Sequence, residues 1–357
     1  MGLKGELFLP QAYQTGEKND ITDVPGIKVG QVTLRKGGVN TGVTAILPGS
    51  DIFKQKMLAS GQVINGFGKT TGLVQINELG TLETPILMTN TLAVGTCWTA
   101  LTRYMLDRNP EIGLTTGTVN PVVMECNDGD LNDIRSLPVK ESDALTALAL
   151  AEGNPPLLEG NVGAGTGMRC LGFKGGIGSA SRLLELGGKK YHVASLVCAN
   201  FGAFGKLRAG SRLLGQELKD AVLALAKAEN NQLYARYQRD QGSIVMVIAT
   251  DLPLSSRQLG RLARRSAVGL ARTGSYIGDG SGDIALAFST AQRVSHFAKE
   301  AESFSFLPDS QLDPVFEAGA ETIEEAVLSA LVHAETLTGF QGRRVYGLGF
   351  FYKNSGE

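Results

Sequence analysis

The chain has 357 residues, 43% hydrophobic and 19% charged, an ordinary globular balance with material for one large α/β unit or two domains. Lys and Arg total 34 against 35 Asp and Glu, a net charge of -1, so neither nucleic acid nor a membrane surface is an expected partner. Four cysteines stand singly with no Cys-x-x-Cys pair, which argues against a disulfide framework, and no apolar run reaches membrane-span length. The opening Met1–Leu7 lacks a basic region followed by an apolar core, so a cytoplasmic location is expected.

Residues 1–20 are polar and read as a loosely held arm. Ile21–Leu34 gives short strand signals broken at Pro25-Gly26, and Thr41–Leu47 is a strand ended by Pro48-Gly49. Asn65–Leu79 mixes glycine with polar and apolar residues, after which Thr84–Asn90 predicts a strand leading into a helix over Gly95–Asp107. Val122–Met124 is a short strand running into the acidic turn Glu125–Asp133. Ala and Leu spacing predicts a helix over Ser142–Glu152, with Ser142 suited to the N-cap. Tyr191–Asn200 is a strand, Glu217–Ala228 a helix, and Asn230–Gln241 a polar, aperiodic stretch that reads as unable to pack. Ser243–Ala249, rich in Val and Ile, is a strand buried on both faces. Asp251–Ser256 caps a helix through Leu270, Ile284–Ser289 is a further strand, and Thr322–Thr336 a long helix. With fewer than one helix per strand, layered α/β is expected rather than a simple doubly wound sheet.

Gly242-Ser243 stands where the polar stretch enters the buried strand. Two readings stay open: an ordinary loop end, or a self-cleaving junction. In the second, the freed α-amine of Ser243, with an unperturbed pKa of about 8, is base for its own hydroxyl. The densest glycine run, Gly160–Gly178, contains Gly163-Ala164-Gly165 but lacks the flanking strand and helix of a nucleotide loop, and Lys174 precedes Gly175 rather than Ser or Thr. A structural loop and a nucleotide cradle both stay open there. His192, His296 and His333 lack metal-ligand spacing, so no metal or cofactor is expected, and His192 reads as a core histidine. Gly278–Gly282 carries the letters of a nucleophile elbow, but its Ser281 leads into a strand rather than a helix. Ser281 and Asp283, two apart on entering that strand, can share a face, either as a self-satisfied turn or as a proton relay next to Ser243.

Taken in order, Gly160–Gly167, Phe173–Gly178, Ala199–Gly202, Gly242–Leu254 and Gly280–Asp283 resemble the DmpA-type aminopeptidases, over about Ile21–Tyr352. That family comprises L-aminopeptidase/D-amino-acid esterase-amidases and β-peptidyl aminopeptidases. The resemblance implies a single domain over residues 1–357, a four-layer αββα sandwich like the N-terminal-nucleophile hydrolases but with its own connectivity. It implies a precursor cut at Gly242-Ser243 into residues 1–242 and 243–357, which stay together and assemble as a homo-oligomer, a tetramer of processed units. By the same likeness Ser243 is the nucleophile, Asn200 an oxyanion donor, and Ser281 with Asp283 the pair that assists proton transfer. Glu125 matches the carboxylate that receives the substrate's free amine.

The implied activity is removal of an N-terminal α- or β-amino acid from short peptides, amides or esters through an acyl-enzyme. An alternative on the same scaffold is hydrolysis of amide oligomers or acyl transfer, usually with Thr rather than Ser exposed. The alternative from another class is a non-catalytic small-molecule or nucleotide-binding protein. Two positions depart from the family pattern. Asp283 stands where Glu is common, and no Tyr occurs between Glu125 and Asp133 to assist an oxyanion hole.

Overall fold

The computed structural model describes residues 12–231, 233–234 and 239–353, without the side chain of Lys353. The strands are β1 (Lys28–Lys36), β2 (Val39–Leu47), β3 (Gln55–Gly66), β4 (Thr81–Leu82), β5 (Ile86–Asn90) and β6 (Val122–Cys126), then the short ribbon β7 (Arg169–Cys170) and β8 (Phe173–Lys174). After them come β9 (Gly176–Leu186), β10 (Lys189–Asn200), β11 (Gln241–Thr250) and β12 (Gly280–Ser295). One sheet has the order β1-β2-β5-β6, the other β4-β3-β12-β11-β10-β9. Helices α1 (Val94–Arg108) and α2 (Glu141–Glu152) cover the smaller sheet. Helices α3 (Ser256–Ala263) and α5 (Asp313–His333) cover the larger, with α4 (Ser266–Arg272) against α5.

Both faces of β11 are buried, as its unbroken apolar run predicts. Val245 and Val247 join Ile284, Leu286 and the smaller sheet in one core, whereas Ile244, Met246 and Ile248 join Ala285, Ala287 and the helices in the other. Four layers result, α, β, β, α, in agreement with the expected sandwich. Among the described residues no helix is long and apolar enough to cross a membrane.

Of the long strands, β3 and β9 are absent from the sequence reading because glycine, serine and alanine replace the β-branched residues that mark strands. On β9 the small residues have a reason: a Cβ on Gly178 would stand 1.9 Å from the Ala326 carbonyl oxygen of α5. Helix α2 starts one residue earlier than expected, and Asp143 Oδ2 accepts from Lys140 N–H at 2.7 Å, so Ser142 lies inside the helix and not at its cap. Helix α5 begins at Asp313, with Pro314 in its first turn. The helix expected through Leu270 breaks between Ala263 and Ser266.

The N-terminal arm is not loose over residues 12–20; residues 1–11 lie outside the described part. Gly16 N–H donates to Ser181 Oγ at 3.0 Å, and Asn19 Nδ2 to Glu325 Oε1 at 2.6 Å. Within Asn230–Gln241, residues 232 and 235–238 are outside the description, but Leu233, Tyr234 and Asp240 are buried. Tyr234 packs by stacking on Tyr346 at 5.9 Å. His192 is half-buried rather than core, with its ring 3.2 Å from Asp251. The glycine run is buried too. Gly160 and Ile177 exchange both backbone hydrogen bonds, and Lys174 Nζ is spent on the carbonyls of Gly165 and Gly175 at 3.1 and 2.8 Å. The run is therefore internal scaffolding, the structural of its two readings.

One ion cluster joins arm, sheet and helix. Arg182, wholly buried on β9, reaches Glu321 at 2.8 Å and Glu325 at 2.6 Å on α5. Arg182→Ala would strand both carboxylates away from water, with an expected loss of about 3–5 kcal/mol read as a lower urea midpoint at unchanged slope.

Candidate active site

Ser243 sits at the start of β11 between two neighbours. It faces Asn200 on antiparallel β10 and Gly282 on parallel β12. Directly opposed residues bring their Cβ atoms to within about 4.5–5.5 Å, so the Asn200 amide stands beside the Ser243 hydroxyl. That hydroxyl donates to the Gly242 carbonyl oxygen at 2.6 Å. Gly242 has φ 127°, which L side chains rarely adopt, and a Cβ there would lie 2.0 Å from the Asn200 carbonyl oxygen. Only glycine fits. Beneath the junction, Cys126 Sγ–H points at the carbonyls of Cys198 and Ser243, at 3.3 and 3.4 Å.

Asn200 is held at both ends of its amide. Oδ1 accepts from Arg169 N–H at 3.0 Å, and one Nδ2 hydrogen goes to Asn127 O at 2.9 Å. An amide nitrogen carries two hydrogens, so a fixed donor is left over. Glu125, at the end of β6 and buried, accepts from Lys69 N–H at 2.9 Å and from the Thr91 hydroxyl. A Cβ built on Gly68 would lie 3.8 Å from both Glu125 Oε1 and Gly282 Cα, and one on Gly282 would lie 3.0 Å from Ser243 Oγ. Glu125 thus comes from the smaller sheet to the same side of Ser243 as Gly282.

Ser281 and Asp283 meet as the two-residue spacing predicts, the hydroxyl donating to Asp283 Oδ1 at 2.7 Å. Aspartate reaches its serine despite being one methylene shorter than glutamate. Burial pushes the Asp283 carboxyl up to about 6, against the Ser281 hydrogen bond, with the Asp240 charge adding to the rise. Its Oδ2 has no hydrogen-bond partner among the described residues. Alternation along β12 keeps Ser281 and Asp283 in step with Ala285 and Ala287 on the helix side, while Ser243 is in step with Val245 between the sheets. Their rungs are Gly242–Ser281 and Ile244–Asp283. The pair therefore backs the main chain around Ser243 N and does not adjoin its hydroxyl.

A cleft of about 560 Å³ opens over Ser243, lined by Phe67, Lys69, Thr91, Asn127, Arg169 and Arg343 among others. Sequence reasoning singled out none of these six, because each is an ordinary loop or strand-end residue that only folding gathers. Asp240, also unremarked, accepts from Gly202 N–H at 2.9 Å and from Ser275 Oγ at 3.1 Å, which anchors the approach to Gly242. His192, His296 and His333 lie elsewhere, on Asp251, Thr116 and Glu159 respectively.

Known proteins share this arrangement of chain and sheet. A β-peptidyl aminopeptidase of Sphingosinicella microcystinivorans is 40% identical over 96% of this chain and 88% of its own. The crystal structure of a protein from Pyrococcus horikoshii superposes with a TM-score of 0.90 at 46% identity, covering 99% of this chain and 97% of that one. The L-aminopeptidase D-Ala-esterase/amidase of Ochrobactrum anthropi, described as a prototype of the serine aminopeptidases and a variant of the Ntn hydrolase fold, gives 0.86 at 37%, covering 96% and 94%. The peptidase family S58 pattern matches residues 19–345. With that span of the chain matched, and relatives well above 30% identity along its length, the chain belongs to peptidase family S58.

Proposed function

We propose that this S58 peptidase cuts its own chain at Gly242-Ser243 and then acts as an N-terminal-serine aminopeptidase. Its substrates are short peptides, amides or esters with a free α- or β-amine. The observation that carries this reading is the junction itself: a hydroxyl held 2.6 Å from the carbonyl oxygen before it, on a residue that only glycine can be. In self-cleavage Ser243 Oγ adds to the Gly242 carbonyl carbon, the Gly242 C–Ser243 N bond breaks, and the hydroxyl proton ends on that nitrogen. Water then hydrolyses the ester, leaving a Gly242 carboxylate and a free Ser243 amine.

In turnover the α-amine takes the Oγ proton as Oγ attacks the substrate carbonyl. The remaining Asn200 N–H stabilises the oxyanion, Glu125 pairs with the substrate ammonium, and water releases the acyl group. Asp283, through Ser281, steadies the ammonium that forms on Ser243 N. The position of that pair behind the main chain supports this role, since the atom it backs is the one that becomes the amine. The names of the Sphingosinicella and Ochrobactrum proteins support both β- and α-amino acids as the removed residue. A homo-oligomer of processed units, the tetramer implied by the resemblance, belongs to the same reading and is measured by sedimentation.

Mass spectrometry of the purified protein is expected to give two chains starting at Met1 and Ser243, and Ser243→Ala to leave the intact 37.7 kDa chain without turnover. An intact, active wild type would overturn the scheme. Asn200→Ala is expected to lower kcat by about 10²–10³-fold in processed enzyme, the usual cost of one oxyanion donor. Asp283 loses its charge as the pH falls through about 6, so kcat is expected to drop across that range. In Asp283→Asn the kcat at pH 8 falls, and the acid limb loses its step near 6 while keeping the fall set by protonation of the Ser243 amine.

A further inference from the structure

Along the cleft, one stretch of wall carries groups of opposite sign. At one end of it Glu125 lies just beneath Lys69 and Thr91, its partners, which line the cleft. Two residues on, Asn127 O holds Asn200. Beyond that, Gly129 O and Asp130 O receive Arg343 Nη1 at 3.3 and 3.5 Å. The same stretch thus runs from a carboxylate, past the Asn200 amide, to a guanidinium. Arg169 sits beside Arg343, its Nε 2.9 Å from Asp130 and its Nη2 3.3 Å from Gln241 O.

Among the described residues, cations outnumber carboxylates at that far end. The charged residues lining the cleft there are Arg169 and Arg343 against Asp130, and Asp130 is already joined to Arg169, while Lys69 belongs to the other end, where its N–H holds Glu125. Lys69 Nζ lies over the Phe67 ring at 4.9 Å. Arg343 bonds only neutral acceptors, its third being Gln341 Oε1 at 2.9 Å, and no carboxylate pairs with it among the described residues. Its loop is nonetheless fixed: Phe340 N–H donates to Leu131 O at 2.8 Å, and Gly339 N–H to Arg343 O at 2.8 Å. A half-buried guanidinium, held in place without a counter-ion, is suited to an incoming carboxylate, which it can grip with two N–H donors.

We infer that Arg343, supported by Arg169, receives the C-terminal carboxylate of the substrate, so that unblocked dipeptides are the preferred substrate class. The inference rests on the aminopeptidase reading above and deepens it. A dipeptide presents an ammonium and a carboxylate on either side of its single amide. That pattern matches Glu125, the Ser243–Asn200 centre and Arg343 in order. A C-terminal amide or ester keeps the ammonium and loses the second anchor.

The test compares β-alanyl-leucine with β-alanyl-leucinamide, in wild type and in Arg343→Gln, with the extent of chain processing measured in each by mass. The wild type is expected to favour the free acid, mainly through KM. Arg343→Gln should lower kcat/KM for the acid by about 10- to 100-fold while changing the amide less than about threefold, the signature of a lost ground-state contact. Arg343→Lys should restore part of the preference. Equal losses on both substrates would mean that Arg343 only holds its loop, and an unchanged acid preference would mean that the carboxylate lies elsewhere; either result overturns the inference. A processed wild type that cleaves the amide as well as the acid refutes the carboxylate site alone. One that cleaves neither these nor the matching L-alanyl-leucine and L-alanyl-leucinamide refutes the aminopeptidase reading beneath it.

Discussion

The site depends on β11 being hydrogen-bonded on both edges while buried on both faces. Such a strand cannot slip: a shift of one residue would exchange Val245 and Val247 with Ile244 and Met246 between two different cores. Register is therefore fixed by packing along the whole strand, and the fixed register carries Ser243 to one rung, between Asn200 and Gly282. Chemistry at the strand's end inherits its precision from apolar residues that take no part in it.

Glycine makes that precision possible where chains crowd. At Gly242 any side chain would collide with the Asn200 carbonyl, and at Gly282 a methyl would press on Phe67 O at 2.6 Å and approach Ser243 Oγ. The same device recurs away from the site, where α5 lies on β9 at Gly178. The 46 glycines of this chain are neither linker nor repeat. Many of them let two layers approach more closely than alanine would allow.

Buried charge shapes the surroundings of the cleft. Lys174, wholly enclosed, is pulled down to about 7 by desolvation, and Asp128 is pushed up to about 7 for the same reason, each partly offset by the other's charge. Asp128 lies within the stretch 125–130, of which Asn127, Gly129 and Asp130 line the cleft. Burial of unpaired carboxylate costs more than a surface charge would, and Asp128 Oδ2, like Asp283 Oδ2, has no hydrogen-bond partner among the described residues. Asp283 is the member of this group that lies next to the bond proposed to break.

Local pattern in the sequence was enough to locate β11, the entry of a polar stretch into it at Gly242-Ser243, and the Ser281–Asp283 pair. Each of these is a relation between residues a few positions apart, and a strand's period of two reaches that far. The order of five short segments also carried the family likeness and with it the layered fold. Strands β3 and β9 stayed hidden because their small residues answer to a helix or neighbour far away in sequence. The face on which Ser281 and Asp283 lie relative to Ser243, the approach of Glu125 from the other sheet, and the meeting of Arg343 with Gly129 across 214 positions were decided only by tertiary structure. Which strands become neighbours, and in what register, is set by burying two cores at once. That is a property of the whole chain and leaves no trace in any one stretch of it.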